Sequence, residues 1–74
     1  MKSRAEIGKE LRKLRGDKSL QIAADGIGIT KSALAMYERG ERVPRDEAKV
    51  KIADYYGVPV AELFYYPIEH KMCS

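Results

Sequence analysis

The segment from Leu20 to Gly40 constrains the fold of this chain more than any other stretch. It contains two short runs of helical hydrophobic spacing separated by Gly28, which predicts two helices joined by a tight turn. The alanines at positions 23 and 24 are small enough to let two helices cross closely. The apolar residues that we expect to fill the angle between the helices are Ile27, Ile29 and Leu34.

Start and stop signals bracket both of these helices. Ser19 and Thr30 are expected N-caps, because their hydroxyl oxygens can accept hydrogen bonds from backbone N–H groups of the first turn. Gly40 is a natural stop after Arg39, since glycine adopts the left-handed conformation that commonly ends a helix. The second helix of the pair is therefore delimited at both ends.

The rest of the chain predicts three further helices and no strand. Hydrophobic residues at i, i+4 and i+7 predict a first helix from its N-cap Ser3 to about Arg15. After a connector containing Pro44, a fourth helix is expected from Asp46 to Tyr56, and a fifth from Val60 to about Tyr66. The residues expected to face inward from the last two helices are Val50, Ile52, Ala53, Tyr56, Val60, Leu63 and Phe64.

Length and composition limit the chain to one small folded unit. Its 74 residues allow one domain with a modest core. We expect an all-α domain of five short helices over residues 1–66, followed by a tail at 67–74 that has no periodicity. Neither a membrane-spanning run nor a secretory signal is evident, so we expect a cytoplasmic protein.

The residues that carry most catalytic and metal chemistry are scarce. The one histidine, His70, and the one cysteine, Cys73, both lie in the tail, and no Cys/His cluster has zinc-site spacing. No Ser/His/Asp set can converge, and no glycine-rich loop could hold a phosphate. We therefore expect neither catalysis nor a metal, cofactor or small-molecule ligand.

The second helix of the pair presents a face suited to DNA. Its outward residues are expected to be Lys31, Ser32, Ala33 and Met36. Residues 1–42 hold ten Lys/Arg against six Asp/Glu, whereas residues 43–74 hold four against five. A helix that opens with small polar and basic side chains, in the basic part of a chain, is typical of an element that enters a DNA major groove. The basic residues of the first helix fit equally well a face that is only solvated: Lys9, Arg12, Lys13 and Arg15.

The order and spacing of these segments resemble the Cro/CI (phage-repressor-like) helix-turn-helix family, also called the xenobiotic-response-element type. The resemblance extends from Ile7 to Phe64 and includes the segments 7–15, 27–32, 36–40, 51–53, 56–58 and 62–64, with Arg42 and Pro44. It implies a five-helix, lambda-repressor-like DNA-binding domain. It also implies a sequence-specific transcriptional regulator, in our interpretation a repressor that binds a palindromic operator as a dimer.

The resemblance also implies roles for individual residues. Base edges would be contacted by Lys31, Ser32, Ala33 and Met36, and phosphates by Thr30, Arg39 and Arg42. Arg15 would pair with Glu38 and so tie the first helix to the third. The family usually opens the second helix with a phosphate-binding Gln, but Leu20 stands there and Gln21 follows one residue later. Either Gln21 makes this phosphate contact from a different angle, which we favour, or the contact is missing.

The aromatic residues cluster at the C-terminal end and suggest a contact between copies. One ring from each of the last two helices is expected in the core, which leaves Tyr55 and either Tyr65 or Tyr66 for a homodimer contact. An alternative is an antitoxin-type protein that uses the same DNA-binding fold while residues 65–74 engage a protein partner. A second alternative is a protein-interaction module that no longer binds DNA. The polar and basic residues at 30–32, 39 and 42 disfavour it.

Overall fold

The computed structural model of the protein describes residues 1–65, which form five helices and no strand. The helices are α1 (Arg4–Arg15), α2 (Leu20–Ile27), α3 (Lys31–Glu38), α4 (Asp46–Tyr56) and α5 (Val60–Phe64). The predicted all-α, five-helix fold is confirmed. Tyr66 and the predicted tail, with His70 and Cys73, lie outside the described residues.

Hydroxyl side chains cap the first three helices at the predicted residues. Ser3 accepts a hydrogen bond from the Glu6 backbone N–H, and the Glu6 carboxylate accepts one from the Ser3 N–H in return, which forms a capping box. Ser19 accepts from the Ile22 N–H at 3.1 Å, and Thr30 from the Ala33 N–H at 3.0 Å. Each cap joins residues three apart, so the local sequence suffices to place it.

Two glycines set the ends of the helix pair. Gly28 follows α2 with a φ of 94°, and Gly40 follows α3 with a φ of 74°. After α3, the Glu41 N–H donates to the Met36 carbonyl and the Gly40 N–H to the Tyr37 carbonyl. This pair of bonds is the Schellman arrangement, which needs a left-handed residue where Gly40 stands.

The core lies where all five helices meet. Its buried hydrophobic residues are Ile7, Leu11, Ala23, Ala24, Ile27, Leu34, Ile52, Ala53, Leu63 and Phe64. α1 and α2 both pack against α3, while α4 packs against α2 and α5. Removal of this apolar surface from water is the main favourable contribution to folding, and it holds the inner side of α3 against α1 and α2.

The prediction that Val50 faces inward is wrong. Val50 is 54% exposed, whereas Lys49 beside it is only 7% exposed. The buried face of α4 runs through positions 49, 52 and 53, with Tyr56 partly buried in line with them. A helix turns by about 100° between neighbouring residues, so Val50 falls outside this face.

The ammonium group of Lys49 remains partnered despite its burial. Its Nζ donates to the Tyr65 hydroxyl at 3.0 Å and lies 5.9 Å from the centre of the Phe64 ring. The hydrogen bond to Tyr65 is the main cause of a raised pKa for Lys49. The aliphatic part of Lys49 can therefore pack at the edge of the core while its ammonium group stays hydrogen-bonded, although hydropathy predicts that the neighbouring Val50 is the buried residue.

No helix within residues 1–65 has the length and apolar character needed to cross a bilayer.

Candidate nucleic-acid interface

α2 and α3 form the unit that positions the candidate interface. Ala23 and Ala24 are fully buried between α2 and its neighbours, and Leu34 is fully buried on the inner side of α3. The connecting turn is residues 28–30, closed by a hydrogen bond from the Ile29 N–H to the Ala24 carbonyl. This packing commits one side of α3 to the core and leaves the opposite side exposed.

The outer side of α3 forms a shallow surface depression. Its lining residues are Lys31, Ser32, Ala35, Met36 and Arg39. The side chains of Lys31 and Ser32 are exposed and have no hydrogen-bond partner among residues 1–65, so their donors are available to a ligand. Ala33 is partly buried beside this surface, and Ala35, which was not among the predicted site residues, lines it. The position of Ala35 could have been predicted, since it follows Lys31 by four residues and such residues lie on the same face of a helix.

The leading end of α3 presents an exposed hydroxyl. Thr30 uses an oxygen lone pair to cap the Ala33 N–H, and its own O–H remains able to donate to an anion. Gln21 on α2 is also exposed, and its Nε2 donates to the Asp25 carboxylate at 2.9 Å. The amide has a second N–H, so this internal bond does not exhaust its donors.

Two arginines follow the far end of α3. Arg39 forms an ion pair with Glu41, with Nε 2.8 Å and Nη2 3.2 Å from the two carboxylate oxygens. This hydrogen bonding raises the pKa of Arg39 and lowers the pKa of Glu41. Arg42 is exposed and has no ion-pair partner within residues 1–65, and it shares a second depression with Arg45 and Lys51. Arg45 follows Arg42 in the connector, whereas Lys51 is brought beside Arg42 by the packing of α4, which the sequence does not reveal.

A known family matches this arrangement of helices. A family model described as helix-turn-helix matches residues 9–63, which is most of the chain and includes α2, the turn and α3. The chain belongs to the helix-turn-helix family. The Cro/CI-type resemblance is thereby confirmed.

A curated relative supports the same family membership. The chain is 41% identical over 56 residues to the cryptic phage CTXphi transcriptional repressor RstR of Vibrio cholerae. The match covers 73% of this chain and 50% of the relative, so the chain corresponds to about half of that protein's length. No solved structure matches the chain.

Arg15 and Glu38 join α1 to α3 behind the helix-turn-helix. The Arg15 Nε and Nη2 groups donate to the two Glu38 carboxylate oxygens at 2.8 and 2.9 Å, and Nη1 donates to the Lys18 carbonyl. The Glu38 side chain is only 4% exposed, and its hydrogen bond is the main cause of a raised pKa for Arg15. The position of α3 relative to α1 is thus held by a charged, bidentate contact.

The hydroxyl of Tyr56 lies in the electrostatic field of this ion pair. It is buried and has no hydrogen-bond partner within residues 1–65. Burial, with a smaller contribution from the Glu38 carboxylate, raises the pKa of Tyr56 to about 12. Tyr55 packs edge-on against the Tyr56 ring, so it is less available for a contact between copies than the sequence suggested.

The end of α3 also forms a groove with α1. Lys9 and Arg12 of α1 line this groove together with Arg39 and Glu41. The sequence alone could not distinguish a solvated helix face from a binding face for these two residues. Their position next to Arg39 extends the positive surface of the helix-turn-helix beyond α3.

Metal chemistry has no evident site in residues 1–65, where no group of three or more His, Cys, Asp or Glu side chains is placed to hold an ion.

Proposed function

We propose that this helix-turn-helix protein is a transcriptional repressor that reads a palindromic operator as a homodimer, with one α3 helix in the major groove of each half-site. The observation that carries the proposal is the outer face of α3, where Lys31 and Ser32 are exposed with unpartnered donors beside Met36. The repressor name of the relative supports the direction of regulation. Repression would follow from occupation of a promoter.

The side chains of α3 divide into two roles in this proposal. Lys31 donates to guanine O6 or N7, Ser32 bonds a base edge, and Ala33 and Met36 contact thymine methyl groups. The residues assigned to the sugar-phosphate backbone are Gln21, Thr30, Arg39 and Arg42. These residues flank α3 at both ends and would set its register, whereas sequence preference would come from the first group.

The dimer contact in this proposal lies at the C-terminal end of the described chain. Tyr65 is 37% exposed while its hydroxyl accepts a hydrogen bond from Lys49, so an apolar ring surface is presented in a fixed position. To bind a palindromic operator, a two-fold pairing through this end has to place the two α3 helices about one DNA turn apart. Sedimentation of the wild type and of Tyr65→Ala tests this contact, because loss of the ring should shift the protein toward monomer.

Selection of binding sites from a random duplex pool tests the reading role of α3. The wild type should select a two-fold-symmetric site, and Lys31→Ala or Ser32→Ala should relax preference at one or two positions per half-site. Each lost base contact is expected to cost about 1–3 kcal/mol of discrimination. Lys13→Ala on α1 is the matched control for the lost charge, and it should leave the selected sequence unchanged.

The backbone role of Arg42 has a different signature. Arg42→Ala should weaken binding to selected and unrelated duplexes alike and reduce the salt slope by about one unit per subunit. If the Lys31 or Ser32 variants select the same binding sites as the wild type, the assignment of α3 as the reading helix is refuted. An Arg42→Ala variant with altered base preference would refute the division between the two roles.

A further inference from the structure

Glu41 occupies the two donors that make Arg39 useful for binding phosphate. The Arg39 Nε and Nη2 groups point at the two carboxylate oxygens of Glu41, at 2.8 and 3.2 Å. A guanidinium binds a phosphate through the same pair of parallel N–H groups that it offers to a carboxylate. Both side chains are about half exposed, at 52% and 53%, so solvent and DNA can reach the pair.

The backbone around Glu41 is held in place. The Glu41 N–H bonds the Met36 carbonyl at 3.0 Å, which fixes Glu41 to the last turn of α3. Gly40 is seated against α1, since a Cβ built on it would lie 3.3 Å from the Ala5 Cα. The backbone that carries the Glu41 carboxylate is therefore held two residues from Arg39 and is not part of a free loop.

The surroundings of Glu41 are basic. Lys9, Arg12 and Arg39 line the same groove, and the other carboxylate there, Glu38, is already engaged by Arg15. Glu41 thus adds a negative charge where the rest of the groove favours an anion.

We propose that Glu41 competes with the DNA phosphate for the guanidinium of Arg39 and thereby limits the affinity of the protein for duplex DNA. This inference rests on the proposed function. On binding, Arg39 exchanges the Glu41 carboxylate for a phosphate, and the freed carboxylate is left beside the DNA. Glu41 thus sets affinity without reading sequence.

Neutralising Glu41 has two measurable consequences. Glu41→Gln should tighten binding to any duplex about two- to fivefold per bound subunit at low salt, the range expected for an exposed ion pair. It should also steepen the salt dependence by up to about one unit per subunit. In the wild type, the freed Glu41 carboxylate takes up a cation and so offsets one of the cations released from DNA, whereas a glutamine takes up none. Base preference should stay the same.

A double-mutant cycle isolates competition from simple repulsion. The wild type, Glu41→Gln, Arg39→Ala and the double variant are titrated with a fluorescent duplex carrying the selected site, and with an unrelated duplex, at about 50 to 200 mM salt. Glu62→Gln on α5 is the control for the change in net charge, and thermal melts show that each variant is folded. The gain from Glu41→Gln should be present with Arg39 and largely absent in the Arg39→Ala background.

The outcomes separate the two proposals. An equal gain in both backgrounds means that Glu41 repels DNA through space, and it overturns competition for Arg39. No gain in either background, or a gain matched by Glu62→Gln, overturns it as well. A folded wild type that binds no duplex in preference to a flexible polyanion refutes the proposed function itself.

Discussion

Replacement of Arg15 by methionine tests whether the ion pair with Glu38 holds α1 and α3 together. The change keeps most of the aliphatic stem but removes both donors to the Glu38 carboxylate, at 2.8 and 2.9 Å. The Glu38 side chain is 4% exposed, so water cannot replace the lost partner without a rearrangement. A buried carboxylate would then be left without its cation.

The burial of the ion pair sets the expected loss in unfolding free energy. Breaking a fully buried ion pair by removing one partner costs about 3–5 kcal/mol. The Arg15 side chain is 22% exposed, which places this pair at the low end, about 3 kcal/mol. A domain of this size has an unfolding free energy of about 4–11 kcal/mol, at ~0.05–0.15 kcal/mol per residue. The variant should therefore keep about 1–8 kcal/mol, so it remains folded at 25 °C but unfolds at a lower urea concentration than the wild type.

Urea unfolding followed by far-UV circular dichroism measures this loss. Arg12→Met on the exposed side of α1 is the matched control, with an expected change of less than about 0.5 kcal/mol. The double variant Arg15→Met/Glu38→Leu should recover most of the loss, because apolar side chains can replace a buried ion pair at little cost. The reasoning is wrong if Arg15→Met behaves like Arg12→Met, or if the double variant is less stable than Arg15→Met.

Three further changes probe the packing and the caps. Gly8→Ala should cost about 1–3 kcal/mol in urea unfolding, because its Cβ would overlap the backbone carbonyl of Glu38. Tyr56→Phe should leave stability at pH 7 equal or higher, since it removes a buried hydroxyl that lacks a partner within residues 1–65. The raised pKa of Tyr56 makes a contribution to the unfolding free energy that is fully present below pH 10 and is lost as pH rises toward 12. Urea unfolding at both ends of this pH range should therefore show a smaller decline in stability for Tyr56→Phe than for the wild type. Thr30→Ala should lower the unfolding free energy by about 1 kcal/mol through loss of the cap to Ala33, whereas Thr30→Ser should retain it in a thermal melt.

The helices themselves could be predicted because their boundaries depend on neighbours in the chain. Ser3, Ser19 and Thr30 each cap a backbone N–H three residues ahead, and Gly28 and Gly40 end α2 and α3 within one turn. Such interactions are complete within a few residues, so the sequence contains them in full. The exposed position of Lys31 and Ser32 follows in the same way from the burial of Leu34 on the other side of the helix.

The contacts between distant segments were decided by tertiary packing alone. Hydropathy places Val50 inside, but the surfaces of α5 and Tyr65 suit the long stem and ammonium of Lys49. Nothing in the sequence near Gly8 shows that the α3 backbone approaches it. The groove that brings Lys9 toward Glu41 likewise exists only once α1 is packed on α3. Hydrogen bonds along a helix span three or four residues, whereas these contacts depend on helix crossing angles that only the whole core determines.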